Sequence, residues 1–174
     1  MEELLDLKQR LEKERPAAWH ELPDISLYMD QIISYMPRQL IHFDDRDALT
    51  SAMVNNYIKD GLLPRAEGKR YHRTHLAYLT AISDLKQVLS VKDMKALISA
   101  GTLAPEVETV YQAFQEELDG ALKETARQIS DDLTEEQLPR LALALALRSY
   151  ADRLACQRII DLIRPETPDK KKKK

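Results

Sequence analysis

Apolar residues recur every three or four positions along most of the chain, a spacing that places them on one face of an α-helix. In the first such stretch Leu4, Leu7 and Leu11 form one stripe. The sequence therefore predicts a helix over residues 2–15 that ends before Pro16, because proline cannot continue a helix from its interior.

A loop and a second helix follow. The segment PAAWHELP has a proline at each end, and we expect its Trp19 to dock on the body of the protein. Ser26 is a candidate cap for a helix over residues 27–40, whose last turn Pro37 makes irregular. The polar residues 42–47 then predict a turn.

The next helix has a clear signal at each end. Thr50 or Ser51 is a candidate N-cap. Apolar residues follow at helical spacing: Met53, Val54, Tyr57 and Ile58. Gly61 ends this helix, because glycine readily takes the left-handed conformation common at helix C-termini, and Pro64 prevents the helix from resuming.

A basic β-hairpin is predicted after this helix. Residues 62–65 and 69–72 are the expected strands, and AEGK joins them with Gly68 where a turn tolerates a positive φ. We expect the resulting two-stranded wing to turn at Glu67–Gly68. The basic residues in and beside it are Arg65, Lys69, Arg70 and Arg73.

Two further helices follow the hairpin. The first starts near Thr74 and has apolar residues at helical spacing for the core: Leu76, Leu79, Ile82 and Leu85 or Leu89. Ser90 and Asp93 then resemble a capping box at the start of a second helix. Gly101 is predicted to stop that helix.

The C-terminal part is also predicted to be helical. A long helix starts at residues 104–106 and carries an apolar stripe: Val107, Tyr111, Phe114, Leu118, Ala121 or Leu122, and Ile129. A second helix follows a capping box at Thr134–Gln137, begins irregularly because of Pro139 and runs to Ile163. Its segment LALALALRSYADRLA alternates with period two, but leucine and alanine favour helix over strand.

The last helix has apolar residues on nearly all sides, which predicts deep burial. It can fold back on the preceding helix, complete a four-helix dimer core or line an effector pocket, and the sequence does not choose among these. Together the two apolar helices exceed what one small domain readily covers, so we expect a homodimer.

Composition narrows the class of protein. A length of 174 residues allows one domain, or one small domain with a helical extension. The single cysteine, Cys156, excludes an internal disulfide and a cysteine-rich zinc site. The N-terminus lacks a signal-peptide pattern and no apolar run is long enough to cross a bilayer, so we expect a cytoplasmic protein without membrane contact.

The formal net charge of −3 is unevenly distributed. Residues 50–75 carry five basic side chains against two acidic ones, whereas residues 101–169 carry seven against fourteen. Such asymmetry suggests that the two parts face different partners. The alternative, that the charges only cover solvated faces, stays open. The five C-terminal lysines predict a disordered tail.

The order of these signals resembles the MerR family of DNA-binding regulators over residues 49–99. The matching residues are Tyr57, Gly61, Leu62, Leu63, Pro64, Gly68, Arg70, Tyr71 and Leu76, followed by LKQVLSVKDMKALI. From LYMDQII to MKALI the chain is also similar to a bacterial family known only as a domain of unknown function with a MerR-like centre. The resemblance implies a mostly α fold: a winged helix-turn-helix with a small β-hairpin wing, plus additional N- and C-terminal helices.

This resemblance divides the chain into four parts. Residues 1–25 are an N-terminal helix and loop, and residues 26–101 are the MerR-like winged helix domain. Residues 102–165 are a helical hairpin for dimerisation or effector binding, and residues 166–174 are the disordered tail.

The family resemblance implies binding to double-stranded DNA. A recognition helix reads base edges with polar side chains, and a basic wing neutralises phosphates. The candidate DNA-binding residues are Thr50, Ser51, Asn55, Asn56, Lys59, Arg65, Lys69, Arg70, Tyr71 and Arg73. A solvated helix face is the alternative for Asn55 and Asn56, and packing onto Leu63 is the alternative for Tyr71.

We therefore expect a dimeric transcriptional regulator, with an unknown small-molecule effector as an option. The competing hypothesis is a helical adaptor that uses the same scaffold to bind protein. No enzyme or cofactor is expected, because the sequence has no nucleophile elbow and no phosphate-binding glycine loop. His72 and His75 lack a third metal ligand at a suitable distance.

Overall fold

The computed structural model describes residues 1–39, 41, 48–101 and 106–164. Seven α-helices occur in these ranges: α1 (Glu2–Lys13), α2 (Met29–Tyr35), α3 (Ser51–Lys59), α4 (Arg73–Leu85), α5 (Val91–Gly101), α6 (Val107–Arg127) and α7 (Leu138–Ile163). Short 3-10 helices span Trp19–Glu21, Met36–Gln39 and Glu135–Gln137. The prediction of a mostly α fold is confirmed. The predicted turn at 42–47, the helix start at 104–105 and the tail at 166–174 lie outside the described residues.

The predicted winged helix-turn-helix with a β-hairpin wing is wrong, because the described ranges contain no β-strand. Two isolated bridges are found there instead. One joins Glu67 to Arg70 and the other joins Leu27 to Tyr71. The segment that was expected to form a wing is therefore a single tight turn between α3 and α4.

Backbone hydrogen bonds at the end of α3 explain why the first strand does not form. The N–H groups of Leu62 and Leu63 both donate to the carbonyl oxygen of Tyr57, at 2.9 and 3.1 Å. Pro64 has no N–H to donate. These residues close the end of α3, so they are not free to pair with a second strand.

A two-residue turn takes the place of the hairpin. Gly68 and Lys69 have φ of +56° and +64°, as in a type I′ turn, so the positive φ expected at Gly68 is confirmed. Glu67 and Arg70 exchange both backbone hydrogen bonds around the turn, at 3.0 and 2.9 Å. Pairing stops there, because Tyr71 pairs with the segment before α2.

The start of α2 differs from the prediction. The helix begins at Met29, with Tyr28 in the N-cap position. The side-chain oxygen of Gln31 accepts a hydrogen bond from the Tyr28 N–H at 2.8 Å. Ser26 is not the cap; its hydroxyl lies 3.3 Å from Nδ1 of His72 and so helps to join this segment to the start of α4.

α4 is the central helix of the core. Leu76, Leu79 and Ile82 are fully buried, as their spacing predicted. The helix packs against α6 and the 3-10 turn Met36–Gln39. Buried residues from the surrounding elements complete the core, among them Ile32, Met36, Val54, Tyr57, Leu62, Leu63 and Met94.

The residues before α2 are tied to α6. Arg15 Nε donates to Asp119 Oδ1 at 2.7 Å. The hydroxyl of Tyr111 donates to the carbonyl oxygen of Ala17 at 2.9 Å, and the Trp19 ring lies 6.3 Å from the Tyr111 ring. Trp19 thus docks on the body of the protein as expected.

α7 is one continuous helix, with Pro139 in its first turn as predicted, but its predicted deep burial is wrong. Ile160 is the one buried side chain of this fully described helix, and it packs in the core beside α5. Arg164, just beyond the helix, donates to Asp93 of α5 at 2.5 Å. Large apolar side chains earlier in the helix are exposed, including Leu143 and Leu147.

Candidate nucleic-acid interface

α3 presents a polar face to solvent. Thr50 caps the helix, because its Oγ1 accepts a hydrogen bond from the N–H of Met53 at 3.3 Å. Val54 and Tyr57 are buried on the inner side of the helix. The outer side carries four of the predicted DNA-binding residues: Ser51, Asn55, Asn56 and Lys59. Hydroxyl and amide groups of this kind can bind base edges in the major groove.

The C-terminal end of α3 is held in place by its glycine and by α5. Gly61 has φ of +72°, a conformation that strains other residues, so its predicted role as helix terminator is confirmed. Lys95 Nζ donates to the carbonyl oxygen of Asp60 at 3.1 Å. These contacts fix the direction in which α3 presents its exposed face.

The basic turn lies against the start of α2. The guanidinium carbon of Arg70 is 4.1 Å from the centroid of the Tyr28 ring, which is a cation–π contact. Arg65, Lys69 and Arg70 are nevertheless exposed. The contact with Tyr28 therefore anchors the turn while its cationic groups remain accessible.

An open groove with a volume of about 770 Å³ connects α2, the start of α3 and the basic turn. It is lined by Tyr28, Met29, Asp30, Ile33, Ser34, Ser51 and Lys69. Ser51 and Lys69 were both predicted to bind DNA, and the fold brings them to the same groove. The first turn of α3 and the basic turn thus border the same groove.

The charge along α3, the basic turn and the groove is only weakly positive. The exposed basic residues there are Lys59, Arg65, Lys69 and Arg70, and the acidic residues among and beside them are Asp30, Asp60 and Glu67. A mixed field of this kind attracts polyanions weakly over distance. Direct contacts must supply most of the affinity for any anionic partner.

The structure uses two of the predicted DNA-binding residues inside the fold. Tyr71 is buried, and its N–H and C=O exchange hydrogen bonds of 2.8 Å with Leu27. Burial raises the pKa of its hydroxyl. Arg73 Nε donates to the carbonyl oxygen of Leu22 at 3.2 Å, and its Nη2 lies 3.4 Å from Asp24 Oδ1. Both residues join α4 and the turn to the segment before α2.

The histidine pair at the start of α4 also has a structural role. Nδ1 of His75 accepts a hydrogen bond from the N–H of His72 at 3.0 Å, and its Nε2 lies 3.3 Å from the carbonyl oxygen of Arg65. Burial lowers the pKa of His75, which favours the neutral ring. Within the described ranges, no group of three or more side chains is arranged to hold a metal ion.

The wall of the groove formed by α2 was missed from the sequence. Tyr28, Asp30 and Ser34 lie far from the basic turn along the chain, and no local pattern places them beside Lys69. The exposed aromatic Tyr28 at the start of a helix was the one available signal, because arginine often stacks on such rings.

A second cavity, of about 400 Å³, is lined by residues of α1, α4 and α6 and by the 3-10 turn Met36–Gln39. Asp84 of α4 reaches it, and its Oδ2 is buried without a hydrogen-bond partner in the described part of the chain. Burial raises the pKa of Asp84 from 3.8 to about 6. No pattern in the sequence indicated this burial, because a single aspartate on an amphipathic helix is normally solvated.

These features define a helical protein whose polar helix α3 and basic turn border one groove. None of its helices in the described ranges combines the length and apolar character that crossing a bilayer requires. Residues 17–114, more than half of the chain, match the family described as Domain of unknown function (DUF1836), and the chain belongs to that family. The expectation of a domain of unknown function is thereby confirmed. No curated protein and no solved structure matches the chain.

Proposed function

We propose that the chain is a DNA-binding transcriptional regulator that presents α3 to the major groove and the turn at Gly68–Lys69 to the phosphates. The observation that carries this proposal is that Ser51 of α3 and Lys69 of the turn line one groove. A protein that reads DNA needs base-reading groups and phosphate-binding groups on the same side.

The reading element is the exposed face of α3. The helix has nine residues, which corresponds to a length of about 13 Å, and an α-helix fits the width of the major groove. Asn55 and Asn56 each offer an amide that can pair with adenine through two hydrogen bonds. Ser51 lies in the first turn, where the positive end of the helix dipole favours a nearby phosphate.

The phosphate-binding element is the basic turn. Lys69 and Arg70 are exposed, and the stacking of Arg70 on Tyr28 restricts its motion before binding. A group that is already ordered loses less entropy when it meets its partner. The sequence resemblance to MerR regulators around Gly61 and Gly68 supports the same assignment of roles, although the wing of those regulators is replaced by a two-residue turn.

A selection from pooled genomic DNA fragments tests this function. The full chain should retain a subset of duplex fragments that share a sequence. Asn55→Ala should weaken binding to the selected site by about 1–3 kcal/mol and relax the preference at one base position. Gln9→Ala, which removes an exposed polar side chain from α1, is the matched control and should leave the selection unchanged.

Two results would count against the regulator. One is the retention of no duplex fragment above background. The other is an equal loss for Asn55→Ala and Gln9→Ala, which would mean that α3 does not read the site. Either result would favour the adaptor hypothesis, in which the same surface binds protein.

A further inference from the structure

α7 carries an exposed apolar stripe that the fold leaves uncovered. Four side chains form this outer stripe: Leu143, Leu147, Tyr150 and Leu154, which are 60%, 58%, 62% and 49% exposed. Their spacing of four, three and four residues keeps them on one face of the helix. Monomeric proteins seldom expose contiguous large apolar side chains in this way.

The opposite side of α7 is the side that faces the rest of the chain. Leu141, Leu145 and Cys156 are partly buried there, and Ile160 is fully buried. A groove of about 580 Å³ separates this part of α7 from α6 and the residues after α4. The outer stripe therefore takes no part in the packing of α7 within the subunit.

The outer stripe has the same spacing when it is read in either direction. Its centre lies between Arg148 and Ser149. Two copies of α7 placed antiparallel about this point bring Leu143 against the partner's Leu154, and Leu147 against the partner's Tyr150. A twofold interface requires such a self-complementary surface.

The residues beside the stripe also fit an antiparallel pair. Three of the exposed side chains beside the stripe are small and allow the helices to approach closely there: Ala144, Ala146 and Ala151. Arg140 lies at one end of the same face and Asp161 lies at the other, both exposed. Antiparallel pairing brings Arg140 within one helical turn of the partner's Asp161 and also beside the partner's Arg158, so the direction of pairing rests on the spacing of the stripe.

From the self-complementary spacing of the exposed stripe we propose that the outer stripe is the interface between two copies of this chain. α7 pairs with α7 of the partner subunit in the antiparallel sense, with the twofold axis between Arg148 and Ser149. The interface does not involve α3 or the basic turn, so it is independent of the proposed DNA contact.

Light scattering and sedimentation at micromolar concentration test the proposal. The wild-type chain should have the mass of a dimer. Leu143→Glu should raise the dimer dissociation constant at least about thirtyfold, because each dimer contains the change twice and each glutamate faces the partner's Leu154. Ile25→Glu is the matched control, since Ile25 is a large apolar residue that is 66% exposed in the loop before α2.

A second substitution in the same chain tests the direction of pairing. In the antiparallel dimer, the double variant Leu143→Glu with Leu154→Lys places each glutamate opposite a lysine of the partner subunit. The dimer should then recover. In a parallel dimer the same variant places like charges opposite each other, and the chain should stay monomeric.

Three outcomes would overturn the proposal. These are a wild-type monomer throughout the micromolar range, a dimer that Leu143→Glu does not weaken, and a double variant that remains as monomeric as the single one. Because Leu143 is exposed, all variants should keep the wild-type helix content by circular dichroism. If Leu143→Glu changes that content, Leu147→Gln replaces it and should also weaken the dimer.

Discussion

α4 and α7, both described in full, are rich in apolar residues, but α4 buries Leu76, Leu79 and Ile82, whereas α7 buries only Ile160. Leu76 and Leu79 of α4 are fully buried, whereas Leu143 and Leu147 of α7 are more than half exposed. α4 packs against α6 and the 3-10 turn after α2, and α7 packs mainly against α5 and the 3-10 turn that precedes it. Apolar spacing thus shows that a helix face is suited to be covered, but it does not show which surface covers it.

The largest expected effect is the loss of stability when a buried leucine of α4 is shortened. Leu76→Ala should lower the free energy of unfolding by about 2–5 kcal/mol, because it leaves a cavity in a well-packed site. Leu147→Ala, measured by chemical denaturation at a concentration where the chain is monomeric, should change it by less than about 0.5 kcal/mol. Equal losses for the two leucines would show that the outer stripe is covered within the subunit.

A second effect comes from the buried carboxyl group of α4. The pKa of Asp84 is raised by burial from 3.8 to about 6, so the folded state holds a proton that the unfolded state has already released. Stability should therefore fall as the pH rises between these two values. The difference corresponds to about 3 kcal/mol.

Asp84→Asn should remove this pH dependence. The free energy of unfolding of the variant should rise relative to that of the wild type as the pH rises from 3.8 to 6. Above that range the difference should be about 3 kcal/mol, as measured by denaturation at several pH values. Asp119→Asn is the control of opposite sign. Lys123 and Arg15 lower the pKa of Asp119, so its contribution is present at neutral pH and is lost on acidification. A difference in free energy of unfolding between Asp84→Asn and the wild type that does not change with pH would contradict the raised pKa of Asp84.

Substitution of Arg73 distinguishes a structural role of this residue from a DNA-binding role. Arg73→Ala should lower the free energy of unfolding by about 1–3 kcal/mol, because a charged donor to the Leu22 carbonyl is lost. Asp24→Asn should cost little, since the Asp24 side chain is mostly exposed. Unfolding curves of the two variants give the comparison. An Arg73→Ala variant with full stability and reduced DNA binding would show instead that Arg73 contacts DNA.

The smallest expected effect concerns the cap of α3. Thr50→Ala should cost about 1 kcal/mol of stability, because the N–H of Met53 loses its acceptor. Thr50→Ser keeps the hydroxyl and should therefore retain most of the stability that Thr50→Ala loses, as measured by thermal unfolding. A cost that Thr50→Ser fails to recover would mean that packing of the methyl group, rather than capping, stabilises this end of α3.

Local signals in the sequence predicted the end of α3, a glycine turn and the first turn of α7, although the predicted Ser26 cap of α2 was wrong. Gly61 at the end of α3, Gly68 in the turn and Pro139 in the first turn of α7 all lie where the chain pattern placed them. Each depends on the backbone preferences of one or two residues. The exposed positions of Asn55 and Asn56 follow from helical spacing in the same way.

Contacts between distant parts of the chain could not be predicted. The pairing of Tyr71 with Leu27 replaces the expected wing, and the hydrogen bond from Arg73 to the Leu22 carbonyl draws an expected DNA-binding residue into the fold. Neither contact has a local pattern, because each depends on where a distant segment passes. The groove could not be predicted for the same reason, because Asp30 of α2 and Lys69 of the turn line it together although they are far apart in the sequence.

The most direct test of the proposed function is the salt dependence of DNA binding by Lys69→Ala compared with Lys13→Ala. Both variants remove one exposed lysine, but only Lys69 lines the groove beside α3. Fluorescence anisotropy with a selected duplex gives the slope of the logarithm of the affinity against the logarithm of salt concentration, about −0.9 per neutralised phosphate. Lys69→Ala should flatten this slope by roughly one for each subunit bound, and Lys13→Ala should leave it unchanged. Equal slopes for the wild type and both variants, or no salt-dependent binding to any duplex, would contradict the proposal.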